Sequence, residues 1–185
     1  MSTPIKKDVE EFIKRISNKQ KWPKIDTFLI VSLMRIAGKA YDAGTVDGRV
    51  SAVIIYHQIV EEFLVHLLKL SNLYIQAKIW PSRLDLEISN KLMFGQILKE
   101  HKRSIKFNGK DVLLLKCERF NTTRIEYVHR LLKFKSDEER VTRSAEINND
   151  YYEIIDLYLE GRKDIEDRLN DLSHHIDWNE IEKNI

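Results

Sequence analysis

The chain has 185 residues, of which 43% are apolar and 32% charged, with six glycines and three prolines; this composition excludes collagen-like and disordered classes and suits one helical globular domain. Thirty-one Lys and Arg against 29 Asp and Glu leave no global basic field, so any nucleic-acid partner has to be held by a local patch. Cys117 is the only cysteine, which excludes an intramolecular disulfide and points to a reducing, cytoplasmic setting.

The N-terminal "MSTPIKKDVEEF" has no apolar signal core, and apolar runs such as "FLIVSLMRIAG" are interrupted by charge short of the ~20 residues a bilayer requires, so no membrane span is expected. Ile5, Val9, Phe12, Ile13 and Ile16 recur at helical spacing and predict a first amphipathic helix ending before Pro23. A second helix starts at Asp26 or Thr27, either a good N-cap, and runs to Gly44. A third, capped by Asp47, carries Val53, Ile54, Tyr56, Ile59, Val60, Phe63, Leu64, Leu67 and Leu68 on a face wide enough for a central buried helix.

From Leu73 to Asn90 the periodicity weakens and predicts a loop with some helix, including a brief alternation in "LDLEI". Ser89 or Asn90 is the expected cap of "KLMFGQILKEHKRS", and "IKFNGKD" supplies an Asn-Gly turn before a helix opening at Asp111. That helix holds Leu113, Leu114, Cys117, Phe120, Val128, Leu131 and Leu132, with the weak helix formers Asn121, Thr122 and Thr123 in its middle. Ser136 followed by Asp137, Glu138 and Glu139 caps the next helix, and a more exposed charged helix is expected after Gly161. The expected fold is an all-α antiparallel bundle of about five or six helices in one domain: residues 1–25 an N-terminal helix and linker, 26–135 the bundle core, and 136–185 the C-terminal helices.

No glycine-rich phosphate loop, paired-cysteine zinc spacing or HExxH helix occurs, so the sequence assigns no metal and no cofactor. Adjacent His174 and His175 point about 100° apart on a helix and read as solvated tail residues. His57 and His66 read as core or boundary histidines held by hydrogen bonds, and either Glu61 or Glu62 is placed to orient a cation from another helix.

Arg124 and His129 differ from these because they offer complementary phosphate chemistry. A guanidinium forks onto a phosphate while staying charged, and an imidazole exchanges protons near neutral pH. Five residues on a helix rotate the chain by about 140°, so one pair diverges, and a two-fold dimer would gather two arginines and two histidines around one groove.

The helices "SAVIIYHQIVEEFLVHLLKL", "KLMFGQILKE" and "ERFNTTRIEYVHRLL" resemble, in order and motif, the HEPN family (higher eukaryotes and prokaryotes nucleotide-binding domains) over roughly residues 47–132. The signature of that family is an arginine, four to six residues and a histidine on a late helix of an α-helical bundle. The resemblance implies a dimeric, metal-independent endoribonuclease of toxin-antitoxin, abortive-infection or phage-defence type, with mRNA or tRNA as substrate and a cognate antitoxin as partner. It also admits a non-catalytic RNA-binding or protein-interaction module. By position, Arg124 would steady the scissile phosphate and His129 would transfer protons as the ribose 2′-OH attacks phosphorus. Where the family usually has a polar residue after the arginine this chain has Ile125, and Asn121, one turn earlier, is the substitute on the same face. Leu131 stands where some members carry a modified tyrosine. In the non-catalytic alternative Arg124 forms an ion pair with Glu61 or Glu62. Tyr127, at helical spacing from Phe120 and Leu131, reads as core.

RNA also demands backbone contacts, for which "KEHKRSIKFNGK" offers Lys99, His101, Lys102, Arg103, Lys106 and Lys110. Arg130 and Lys133 extend the patch, with Asp137, Glu138 and Glu139 limiting it.

Overall fold

The computed structural model describes residues 4–80, 82 and 92–175, and within them the chain forms six α-helices and two short 3-10 turns, with no strand. The helices are α1 Pro4–Ser17, α2 Thr27–Asp42, α3 Val46–Ile79, α4 Phe94–Arg103, α5 Lys110–His129 and α6 Asp137–His175. The all-α expectation holds.

Helix α3 is the spine. Its residues Val53, Tyr56, Ile59, Val60, Phe63, Leu64, Leu67, Leu68 and Leu70 are buried against α2, α4, α5 and α6. By length and apolarity alone α3 could cross a bilayer, and half of its most apolar stretch is buried inside the bundle. Burial on several faces explains why its apolar pattern is broad rather than a narrow stripe. Helix α6 packs on α3 and α5, and two stacked pairs knit it to α3, Tyr56 on Tyr151 and Phe63 on Tyr158, both at 4.0 Å, while Tyr127 of α5 tilts against Phe134 just past that helix at 5.8 Å.

Several local expectations change. Thr45, not Asp47, caps α3: its Oγ1 accepts from Gly48 N at 3.2 Å, which leaves Asp47 in the first turn, where a carboxylate still favours the helix dipole. Helix α3 continues through residues 73–79, expected as loop, because Leu73 and Ala77 keep the buried face going. Ser89, Asn90 and the "LDLEI" segment lie outside the described residues; α4 starts at Phe94, with the Met93 N–H bonded to Gln96 Oε1 at 2.8 Å. Asp26 caps α2 as expected, accepting from Leu29 N at 2.9 Å.

The Asn-Gly turn forms, with Gly109 at φ 73°, and α5 opens at Lys110 rather than Asp111. Thr122 and Thr123 stay helical because their hydroxyls donate to Glu118 O and Arg119 O, both at 3.0 Å. No break occurs at Gly161. Helix α6 passes through it and buries Ile165 and Leu169 beyond, because the Phe107 ring occupies the space a Cβ would fill, 2.7 Å away. Residues 137–175 are therefore one long helix sharing the bundle core.

Candidate functional site

Arg124 sits half-buried where α5 crosses α3. One of its Nη2 hydrogens goes to Asn121 Oδ1 at 2.7 Å, one turn earlier on α5, and the other to His57 Nε2 on α3 at 2.8 Å. A guanidinium cannot accept, so Nε2 is the acceptor and the His57 proton resides on Nδ1, which faces Glu61 Oε2 at 3.9 Å. Phe94 of α4 packs on the imidazole at a centroid distance of 4.8 Å, and Phe120 lies parallel to it at 6.5 Å.

This surrounding fixes the charge states. Burial, together with the Arg124 cation, pushes His57 down to about 4, so the ring is neutral at physiological pH. Burial also draws Arg124 below the usual arginine value, opposed by Glu61, and raises Glu61 above the usual carboxylate range against the pull of Arg124. Both groups that hydrogen-bond Arg124 are neutral, and among the described residues no carboxylate lies within ion-pair distance of it. Its Nε–H is buried with no partner. The expected ion pair with Glu61 or Glu62 is thus replaced by His57: Glu61 acts from behind that ring, and Glu62 is exposed.

His129 lies elsewhere on α5. It is exposed, without a hydrogen bond or ion pair among the described residues, and shares an outward stripe with Leu115, Glu118, Thr122 and Ile125, spaced three and four apart. Within one chain the structure does not bring Arg124 and His129 together, as the 140° offset requires. The stripe itself is partly apolar, with Leu115 66% and Ile125 42% exposed.

The predicted RNA-contact residues separate into two sets. Lys99, Lys102 and Arg103 are exposed near the C-terminus of α4, where Lys102 pairs with Glu118 at 2.7 Å and Arg103 lies 3.9 Å from Glu100. Arg130 and Lys133 are exposed beyond the end of α5, about 18 Å further along that helix than Glu118 at 1.5 Å per residue. Lys106 is exposed too. His101 and Lys110 do not belong to any patch: His101 is fully buried with Nε2–H donating to Leu64 O at 2.9 Å, and Lys110 Nζ bonds Ser104 O, Ser104 Oγ and Ile105 O at 2.9 to 3.3 Å. Lys110 thereby ties down the Ser104 and Ile105 carbonyls just past α4, whose own end is closed by Ser104 N–H donating to Glu100 O and His101 O.

The chain matches no protein-family model, no curated protein and no solved structure. Function therefore rests on the site alone. Sequence reasoning missed His57 as the partner of Arg124, since 67 residues separate them; the sole local signal was its i, i+4 spacing from Glu61 on one face of α3. Among the described residues no cluster of three or more His, Cys, Asp or Glu side chains is arranged to hold a metal ion.

Proposed function

We propose that the chain is a HEPN-like, metal-independent endoribonuclease of a toxin-antitoxin or phage-defence system, acting as a dimer. The observation that carries this reading is the charge state of Arg124: an arginine serving only structure is normally neutralised by a carboxylate, whereas this one is oriented by two neutral acceptors and keeps its full charge for an outside anion. With Nη2 committed and Nε–H buried, Nη1 is the donor left for such an anion, and a phosphate is the anion a guanidinium fits best.

In the proposed reaction the ribose 2′-oxygen attacks the adjacent phosphorus, the bond to the 5′-oxygen breaks, and the products are a 2′,3′-cyclic phosphate and a free 5′-hydroxyl. Arg124 stabilises the charge gathering on the non-bridging oxygens. His129, from the partner chain brought alongside by the Leu115 and Ile125 stripe, takes the 2′-OH proton and returns it to the departing 5′-oxygen. Asn121 and His57 hold the guanidinium, and Lys99, Lys102, Arg103, Arg130 and Lys133 contact the RNA backbone on either side.

A second reading, a non-catalytic RNA-binding or protein-interaction module, is favoured by one observation, the separation of His129 from Arg124 within the chain. Incubating purified protein with total RNA and tRNA in EDTA, beside folded Arg124→Ala and His129→Ala controls, distinguishes the two. Cleavage lost in both variants supports the nuclease; RNA binding without cleavage, weakened only by Arg124→Ala, supports the module.

A further inference from the structure

Further along α3, at His66 rather than at the His57 that holds Arg124, a cavity of about 350 Å³ opens between the 19–27 segment, α3 and α6. Its frame is rigidly tied. Trp22 Nε1–H donates to Ile16 O at 3.0 Å, His66 Nε2–H donates to Pro23 O at 2.9 Å, and the Tyr158 hydroxyl donates to His66 Nδ1 at 2.9 Å. Glu166, the carboxylate of the lining, is fully engaged: Arg162 Nε–H donates to it at 2.6 Å and Lys19 Nζ lies 3.0 Å away. Burial alone would raise Glu166, but these two cations outweigh burial and hold it below the ordinary range, so it stays ionised.

Two features point outward from this frame. Lys19, Lys24 and Arg162 line the cavity with Glu166, and Glu62 acts on His66 from just outside the lining, which leaves a positive surplus around the cavity. Among the described residues the Lys24 ammonium, the Gln20 side-chain amide and the Thr27 hydroxyl are exposed and have no protein hydrogen-bond partner, while Trp22, Pro23 and Ile25 supply an apolar wall. A dianion with a compact organic body satisfies both: its charge matches the surplus, its oxygens accept from the open donors, and the volume falls in the range of small-molecule sites.

We propose that this cavity binds a small phosphate monoester of about mononucleotide size, at a site separate from Arg124. The test is a titration of the ¹⁵N-labelled full chain, followed by amide shifts, with adenosine 5′-monophosphate, ribose 5-phosphate and inorganic phosphate, and with adenosine and ribose as uncharged counterparts. The expected result is saturable shifts centred on Gln20, Lys24 and Thr27 for both monoesters below about 1 mM, weaker binding of inorganic phosphate, and none of adenosine or ribose. Lys24→Glu, a change at an exposed side chain, should weaken monoester binding at least tenfold, and Arg124→Gln should leave it unchanged. Shifts centred on Arg124, an equal response to adenosine or ribose, binding of inorganic phosphate as tight as that of the monoesters, no saturation by about 10 mM, or indifference to Lys24→Glu would each overturn the assignment.

Discussion

Acid should destabilise this bundle through His101, and the size of the effect follows from its surroundings. The ring is fully buried; its Nε2–H is committed to Leu64 O, and Nδ1 is buried with no partner, so a second ring proton would have nowhere to bond. Burial, with the nearby Lys110 cation adding to it and the Leu64 bond opposing it, pushes the imidazole from 6.5 down to about 4. Above pH 6.5 the ring is neutral in both folded and unfolded chains and contributes no slope. Between 6.5 and about 4 only the unfolded chain takes up the proton, so stability falls by about 1.4 kcal/mol per pH unit, to a total of about 3 kcal/mol. That is a sizeable part of the 5–15 kcal/mol typical of a domain, or roughly a hundredfold in the folding equilibrium.

His57 and His66 are also held low and add slope of the same sign, whereas Glu61 and Asp150, held above their usual range by burial, offset part of it on further acidification. Comparing the native chain with His101→Gln isolates the one group, since a glutamine amide can still donate to Leu64 O. Urea unfolding at pH 7.0, 6.0, 5.0 and 4.5 gives the free energies directly. The variant should lose less stability than the native chain over this interval, with a slope shallower by up to about 1.4 kcal/mol per pH unit. Identical slopes would refute the assignment of a buried neutral His101.

Gly161→Ala should cost about 1–3 kcal/mol in chemical unfolding, because the new Cβ meets the Phe107 ring at 2.7 Å inside a packed interface. Lys110→Met keeps the stem but strips the Ser104 and Ile105 carbonyls of their donor, and should lower stability by about 1–3 kcal/mol in the same assay. Leu115→Asp together with Ile125→Asp, both at exposed positions, should leave the helical circular dichroism spectrum at about 25 °C unchanged and shift sedimentation from dimer to monomer, with RNA cleavage lost alongside. His57→Ala frees one Arg124 hydrogen and leaves its charge in place, so cleavage should fall by about 10- to 100-fold while the fold persists; a larger loss than in Arg124→Ala would contradict a positioning role.

Much of this fold was legible because helix periodicity is local. Asp26 and Ser136 were recognisable caps, and the breadth of the α3 apolar face announced its central place. What failed to show in sequence depends on neighbours far along the chain. Gly161 reads as a break until Phe107 is seen to fill its missing side chain, and residues 73–79 read as loop until α3 is seen to keep burying Leu73 and Ala77. The same holds at the sites. The type and helix of Arg124 and Asn121 were readable from their spacing, yet the partner that leaves the arginine charged, His57, comes from another helix. Lys110 and His101 looked like RNA contacts because a lysine and a histidine in a basic stretch carry no sign of burial, and only packing turns them inward. The cavity around Lys24 draws on residues from 19 to 166, beyond the reach of any motif.

The central claim is that Arg124 of one chain and His129 of its partner complete one RNA-cleaving groove, and mixing protomers tests it most directly. Arg124→Ala and His129→Ala chains, each confirmed folded and dimeric, are assayed on total RNA in EDTA separately and after subunit exchange. Both homodimers should be inactive and the exchanged sample should regain a substantial fraction of native cleavage, because the mixed dimer keeps one arginine and one histidine on opposing chains. An exchanged sample as inactive as its parents, or a native chain that cleaves no RNA, would contradict the account.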